Sequence, residues 1–212
     1  MNERKREYYY RKAKAEKFRS RASYKLLQAV TKYQFIKPGY VVVDLGAAPG
    51  GWTQAARQLV EDSGFVLAVD LKPIAPIDSP NVLTIIGDVS DPKTTKSILQ
   101  FLPRSADVVI SDVSPNISGV WDLDHARQID LASQSLQIAS QILRPGGNFF
   151  VKVFQGSTTN RFVYEARNHF DFVKLVKPKA SRLKSAELYL LGMGFKQSVT
   201  PNSSKTRLRC GL

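Results

Sequence analysis

Short apolar runs rich in Val, Ile and Phe recur along the chain, at 40–45, 65–69, 82–86, 107–111, 148–154, 172–176 and 187–191. Runs of this length between turn signals read as strands buried on both faces. The segments at 23–33, 52–61, 92–101, 124–143 and 159–168 have helix length and lie between them. Such alternation predicts an α/β domain, a mostly parallel sheet with helices on both faces. Leu143-Arg-Pro-Gly-Gly147 closes the longest helix, because proline cannot continue it and glycine allows the reversal. One strand breaks its own pattern. In 148–154, Phe149, Val151 and Val153 share one face, and Phe150, Lys152 and Phe154 the other. Lys152 either packs its stem on the sheet while its ammonium reaches water, or is a functional amine whose partners set its protonation.

The turn after the first strand, Asp44-Leu-Gly-Ala-Ala-Pro-Gly-Gly-Trp-Thr-Gln54, is built of small residues and leads into a helix. Small residues there let the backbone approach a ligand lying beyond the carboxyl ends of parallel strands. No lysine follows Gly50 and Gly51, so a triphosphate would lack its counter-charge. The glycine spacing is not that of a dinucleotide site, and Pro49 has no N–H to offer a pyrophosphate. Asp70 ends the second strand, 24 positions after Gly46, near where a ribose-binding carboxylate belongs, and Asp88 ends the third. Each aspartate alone reads equally well as a turn residue. Acids at successive strand ends beside a phosphate-free loop favour a cationic adenosine derivative, S-adenosylmethionine.

Charge sharpens the picture of the partner. The chain has 212 residues and a formal net charge of +13. Residues 1–25 carry +7, 26–173 carry −2 and 174–212 carry +8, so the excess sits at the two ends. Polarisation of this kind suits a polyanion, nucleic acid before an acidic membrane surface. No run is apolar and long enough to span a bilayer, and none reads as a secretory leader. The single cysteine, Cys210, excludes an internal disulfide framework and a cysteine-based zinc cage. These features predict a soluble cytoplasmic protein with a basic arm over 1–17, one domain over 18–195 and a basic tail over 196–212.

In order along the chain stand Arg19-Ser-Arg-Ala-Ser-Tyr-Lys-Leu-Leu27, the loop from Asp44 to Trp52, Ser111-Asp-Val-Ser-Pro-Asn116 with Ser118-Gly119, Phe150-Val-Lys-Val-Phe-Gln-Gly156, and Ser185-Ala-Glu-Leu-Tyr189 after Ser181-Arg182. Together these motifs closely resemble the FtsJ/RrmJ-type RNA ribose 2′-O-methyltransferases. The resemblance covers nearly the whole chain. It implies a Rossmann-like, seven-stranded, S-adenosylmethionine-dependent methyltransferase fold. It also implies a catalytic tetrad at Lys25, Asp112, Lys152 and Glu187. Cofactor contacts are expected at Gly46, from the loop itself, and at Gly50, Trp52, Asp70, Asp88 and Asp112. The implied substrate is large-subunit ribosomal RNA, with uridine the modified nucleotide, and no metal takes part.

Methyl transfer to a hydroxyl needs alignment and removal of a proton. Lys152 is the expected base, Asp112 its orienter, Glu187 the holder of a lysine, and Lys25 the group that positions ribose or phosphate. A lysine acts as a base only as the neutral amine. Burial and Lys25 favour that form while Asp112 and Glu187 favour the ammonium, and the sequence leaves the balance open. RNA rather than DNA follows from the chemistry, because only RNA has the 2′-hydroxyl. The run Tyr8, Tyr9 and Tyr10 offers rings for unpaired bases. Trp121 and Phe154 either stack on a base or pack into the body, and His125 and His169 receive no role. Three alternatives stay open: a transfer-RNA ribose methyltransferase, a non-catalytic RNA-binding or ribosome-assembly factor, and a nicotinamide-dependent oxidoreductase.

Overall fold

The computed structural model describes residues 2–182 and 185–196, with side chains from residue 7 onward. Helices α1 (Asn2–Ala15) and α2 (Ser23–Tyr33) precede β1 (Val41–Leu45), α3 (Gly51–Val60), β2 (Phe65–Asp70) and β3 (Val82–Ile86). There follow α4 (Pro92–Phe101), β4 (Ala106–Ser111), α5 (Trp121–Ile142), β5 (Leu143–Phe154), α6 (Thr159–His169), β6 (Phe170–Val176) and β7 (Glu187–Phe195). One seven-stranded sheet runs in the order β3-β2-β1-β4-β5-β7-β6. The pairs among β1 to β5 are parallel, whereas β7 lies antiparallel between β5 and β6. Among the described residues no helix lies between β6 and β7, and the last strand reverses.

Alternate residues of the central strands feed two cores, as the period of two demands. Phe149, Val151 and Val153 join Leu136 and Ala139 of α5 and Phe162 of α6 on one side. Phe150 joins Val42, Ile110, Leu26 and Trp52 beneath α2 and α3 on the other. Local signals set the helix ends. Asp91 caps α4 by accepting from the Lys93 N–H at 2.9 Å, with Pro92 in the first turn. Helix α5 begins at Trp121, ahead of the expected start at residue 124. The Asp124 carboxylate accepts the backbone N–H groups of Ser118 and Gly119 and so draws the preceding loop onto the first turn.

The expected basic arm is largely a helix. Ala13 of α1 is buried, Tyr9 packs on the α2 core, Gln28 donates to the Tyr9 hydroxyl at 2.8 Å, and Tyr24 donates to Glu16 at 2.7 Å. Tyr8 and Tyr10 remain exposed. The three tyrosines are therefore not one set of rings open to bases, since the middle one docks the helix. Of the expected tail, residues beyond Lys196 lie outside the described residues.

Candidate active site

The order of strands reverses between β1 and β4, where the chain winds one way through β2 and β3 and the other way through β5. In open α/β sheets the ligand crevice lies outside the carboxyl ends of the strands at this point. A cleft of about 610 Å³ opens there, of a size for a nucleoside cofactor. Gly46 and Ala48 line it from β1, Asp70 from β2, Asp88 after β3, Asp112 to Asn116 after β4, and Arg127 and Asp130 from α5.

Gly46 is required by geometry. Its φ is +72°, and a Cβ there would come within 2.6 Å of the Val113 side chain and 2.9 Å of its Cα. The loop that follows is tied to Asp70, whose carboxylate accepts the Ala48 N–H at 2.9 Å and the Lys72 N–H at 2.8 Å. Asp88 accepts the Ser90 N–H at 2.8 Å through one oxygen. From the α2 side, Arg19 donates to the carbonyls of Pro49, Ala75 and Pro76, clamping the rim.

Two of the expected cofactor positions, Gly50 and Trp52, are not among the residues that line the cleft. Gly50 caps α3 with φ +105° outside the lining of the cleft. Trp52 is 3% exposed, donates its indole N–H to the Ala22 carbonyl and stacks on Phe150. Gly50 lets the chain turn into α3, and Trp52, one residue into that helix, points its side chain into the α2–α3 core.

Beside the cleft, four distant segments bring a chain of charges together. Lys25 pairs with Glu187 at 2.5 Å. The Tyr189 hydroxyl lies 3.1 Å from Glu187 and 3.0 Å from Asp112. Asp112 lies 3.3 Å from Lys152, whose amino group also donates to the Asp112 carbonyl at 2.7 Å. Lys152 is 5% exposed, so the snorkelling alternative does not describe it. Asp112 belongs both to this chain and to the cleft lining, which makes it the joint between the two.

Tyr189 has one proton for two carboxylates. Burial and the charges of Asp112 and Glu187 raise its pKa well above that of an ordinary phenol, so the hydroxyl keeps that proton. Sequence reading had left this residue without a role, although it lies in the quoted motif. Gln128 was also missed. Its amide donates to the carbonyls of Val113 and Lys152 and locks the ends of β4 and β5 together. The helical spacing of Arg127, Asp130, Leu131 and Gln134 is the signal that would have placed α5 against the cleft.

The lining carries Asp70, Asp88, Asp112 and Asp130 against Lys72 and Arg127, an acidic excess that suits a cation better than a phosphate. Among the described residues no three His, Cys, Asp or Glu side chains are grouped as a metal site requires, and no helix is long and apolar enough to cross a membrane. Sheet order, glycine-lined cleft and adjoining lysine–carboxylate chain define a Rossmann-like α/β protein with a nucleoside-sized cleft at its switch point.

Comparison with known proteins narrows the class. The family model of the FtsJ-like methyltransferases matches residues 18–195. The chain is 49% identical over 192 residues to ribosomal RNA large subunit methyltransferase E of Methanocaldococcus jannaschii, covering 89% of this chain and 78% of that one. It is 49% identical over 194 residues to the protein of the same name from Methanothermobacter thermautotrophicus, covering 92% of each. A crystal structure described as a ribosomal RNA methyltransferase from Plasmodium falciparum matches with a TM-score of 0.76 at 29% identity, over 84% of this chain and 98% of that one. The chain belongs to the FtsJ-like methyltransferases.

Proposed function

We propose that this protein transfers a methyl group from S-adenosylmethionine to a ribose 2′-hydroxyl of large-subunit ribosomal RNA. The observation that carries the reading is the buried Lys152 amine, joined through Asp112 to an acidic nucleoside-sized cleft. The names and extent of the relatives above support the ribosomal substrate, and the charge at the two ends of the chain supports a polyanion.

The cleft suits the cofactor on its own features. Asp70 ends β2, where a carboxylate can take ribose hydroxyls, and Asp88 follows β3, where one can accept from an adenine amine. Gly46 removes a side chain that would otherwise fill the floor. Asp112 presents its carboxylate where the cleft meets the tetrad. When bound, S-adenosylmethionine would supply an electrophilic methyl group, its S–CH3 bond breaking to leave a neutral thioether.

The protein's share is alignment and proton removal. Lys152, as the neutral amine, accepts the 2′-hydroxyl proton while that oxygen gains the methyl group. The ammonium so formed is met at once by the Asp112 carbonyl and carboxylate, already 2.7 and 3.3 Å away. Glu187 holds Lys25 at 2.5 Å on the far side of Tyr189, where its amine can steady the acceptor ribose or its phosphate. Tyr189 keeps the two carboxylates at a set separation without adding charge.

The test is transfer of a labelled methyl group to RNA sized beforehand, followed by complete alkaline hydrolysis. Alkali cleaves through the free 2′-hydroxyl, so ribose methylation leaves label in alkali-stable dinucleotides of ribosomal RNA. Label in mononucleotides would instead mean base methylation, and label in the transfer-RNA fraction would move the substrate.

A further inference from the structure

We infer that Trp121, with Phe154 and His125 behind it, forms a stacking platform for an unpaired RNA base beside the ribose that is methylated. The inference rests on the ribose-methylation reading above and names how that site holds its acceptor. The Trp121 indole stacks at 5.9 Å and 22° on Phe154 and at 6.1 Å and 20° on His125, yet is 48% exposed. A large ring held half open on rigid supports is the arrangement of a binding surface, since it loses little freedom when a ligand covers it.

The supports are rigid for reasons in the chain. His125 is buried, accepts the Thr158 N–H at 3.2 Å through Nε2 and lies 2.9 Å from the Thr158 hydroxyl. Gly156 runs against its imidazole so closely that a Cβ would lie 2.7 Å from the ring. The loop before Trp121 is held by Asp124, which accepts the N–H and hydroxyl of Ser118 at 2.8 and 2.7 Å and the N–H of Gly119 at 3.1 Å. Ile117 and Val120 of the same loop are exposed, extending the apolar surface.

Position identifies the occupant. Phe154 pairs in register with Glu187 and stands two residues beyond Lys152 on the same face of β5. Two residues along a strand span about 6–7 Å, within the reach of one nucleotide. A ribose presented to Lys152 brings its own base and its neighbours into this space. Every base has a π face, and stacking on an aromatic side chain is the common way single-stranded RNA is held.

Trp121 and Trp52 are the two tryptophans of the chain, and Trp52 is buried, so emission reports the proposed contact directly. Titration of wild-type protein with oligouridylate should quench Trp121 emission, inorganic polyphosphate should not, and Trp121→Phe should lose the quenching. Trp121→Ala should raise KM for naked ribosomal RNA about 5- to 100-fold, as loss of one base stack predicts, with S-adenosylmethionine affinity unchanged. Unquenched emission, or an unaltered KM for Trp121→Ala while the wild type methylates ribose, would overturn the platform and leave the enzymatic reading intact. An effect confined to assembled subunits would assign the patch to a protein neighbour and overturn it as a base site. Absence of ribose methylation by the wild type would overturn both.

Discussion

Replacing Asp44 by Asn tests whether the carboxyl beneath the glycine-rich loop is neutral in the folded protein. Asp44 lies in β1 and is fully buried, with one oxygen accepting the Thr53 hydroxyl at 2.7 Å and the other without a partner. Burial pushes its pKa up to about 8, against the Thr53 hydrogen bond and with the charges of Asp112 and Asp70 adding to the rise. A tenfold change in proton affinity is worth about 1.4 kcal/mol, so ionising this group in the folded chain costs on the order of 5 kcal/mol more than in the unfolded one. The folded chain therefore holds a proton that the unfolded chain releases above about pH 4. This contribution is complete in acid and is lost as pH rises toward 8, by about 1.4 kcal/mol per pH unit. Asp44→Asn has no such proton to lose. In acid the neutral carboxyl leaves one O–H without a partner and the amide two N–H groups, so the variant should start less stable by about 1–3 kcal/mol. Urea denaturation at about pH 5.5 and about pH 7.5 should show the balance moving toward the variant by roughly 2–3 kcal/mol. A stability difference constant across that window would refute the neutral carboxyl.

Three further outcomes are expected. Lys152→Ala should abolish methyl transfer and leave S-adenosylmethionine affinity within a few fold, because Lys152 does not itself line the cleft and meets it only through Asp112; calorimetry showing equal loss of cofactor binding would undo that division. Asp70→Ala should weaken cofactor binding by removing both a cleft carboxylate and the acceptor for the Ala48 and Lys72 N–H groups; unchanged affinity would take Asp70 out of the site. The double variant Lys14→Gln with Lys17→Gln, both exposed at the end of α1, should lower the salt slope of RNA binding by about 1.5 to 2, and an unaltered slope would show that these cations neutralise no phosphate.

Where local signals are strong, the chain's pattern and its structure agree. Helices α2 and α4 span 23–33 and 92–101 as the periodicity places them, and the Asp91-Pro92 start explains why the second has so sharp a beginning. Helix α1 escaped notice because, among its described side chains, Tyr9 and Ala13 alone join the core, too few to stand out from a polar, charged segment. The reversal of β7 was invisible to a pattern that reports burial but not direction.

The alternation of apolar runs determined the α/β class by itself, because it follows from the repeat of strand and helix. The chemistry of the loop was likewise decided locally, by the glycines, Pro49 and the missing lysine. Strand-end aspartates at 70, 88 and 112 were legible for the same reason. What the tertiary structure alone decided is who meets whom. Lys25 and Glu187 are 162 residues apart in sequence and 2.5 Å apart in space. Tyr189 joins two carboxylates because β7 inserts beside β5 in a register that sets Tyr189 opposite Lys152. Trp52 faces the core and Trp121 faces outward, although both follow a glycine-containing loop and open a helix. Pattern reports how often a side chain is buried; only the packing of one element on another decides which face it turns and what it touches.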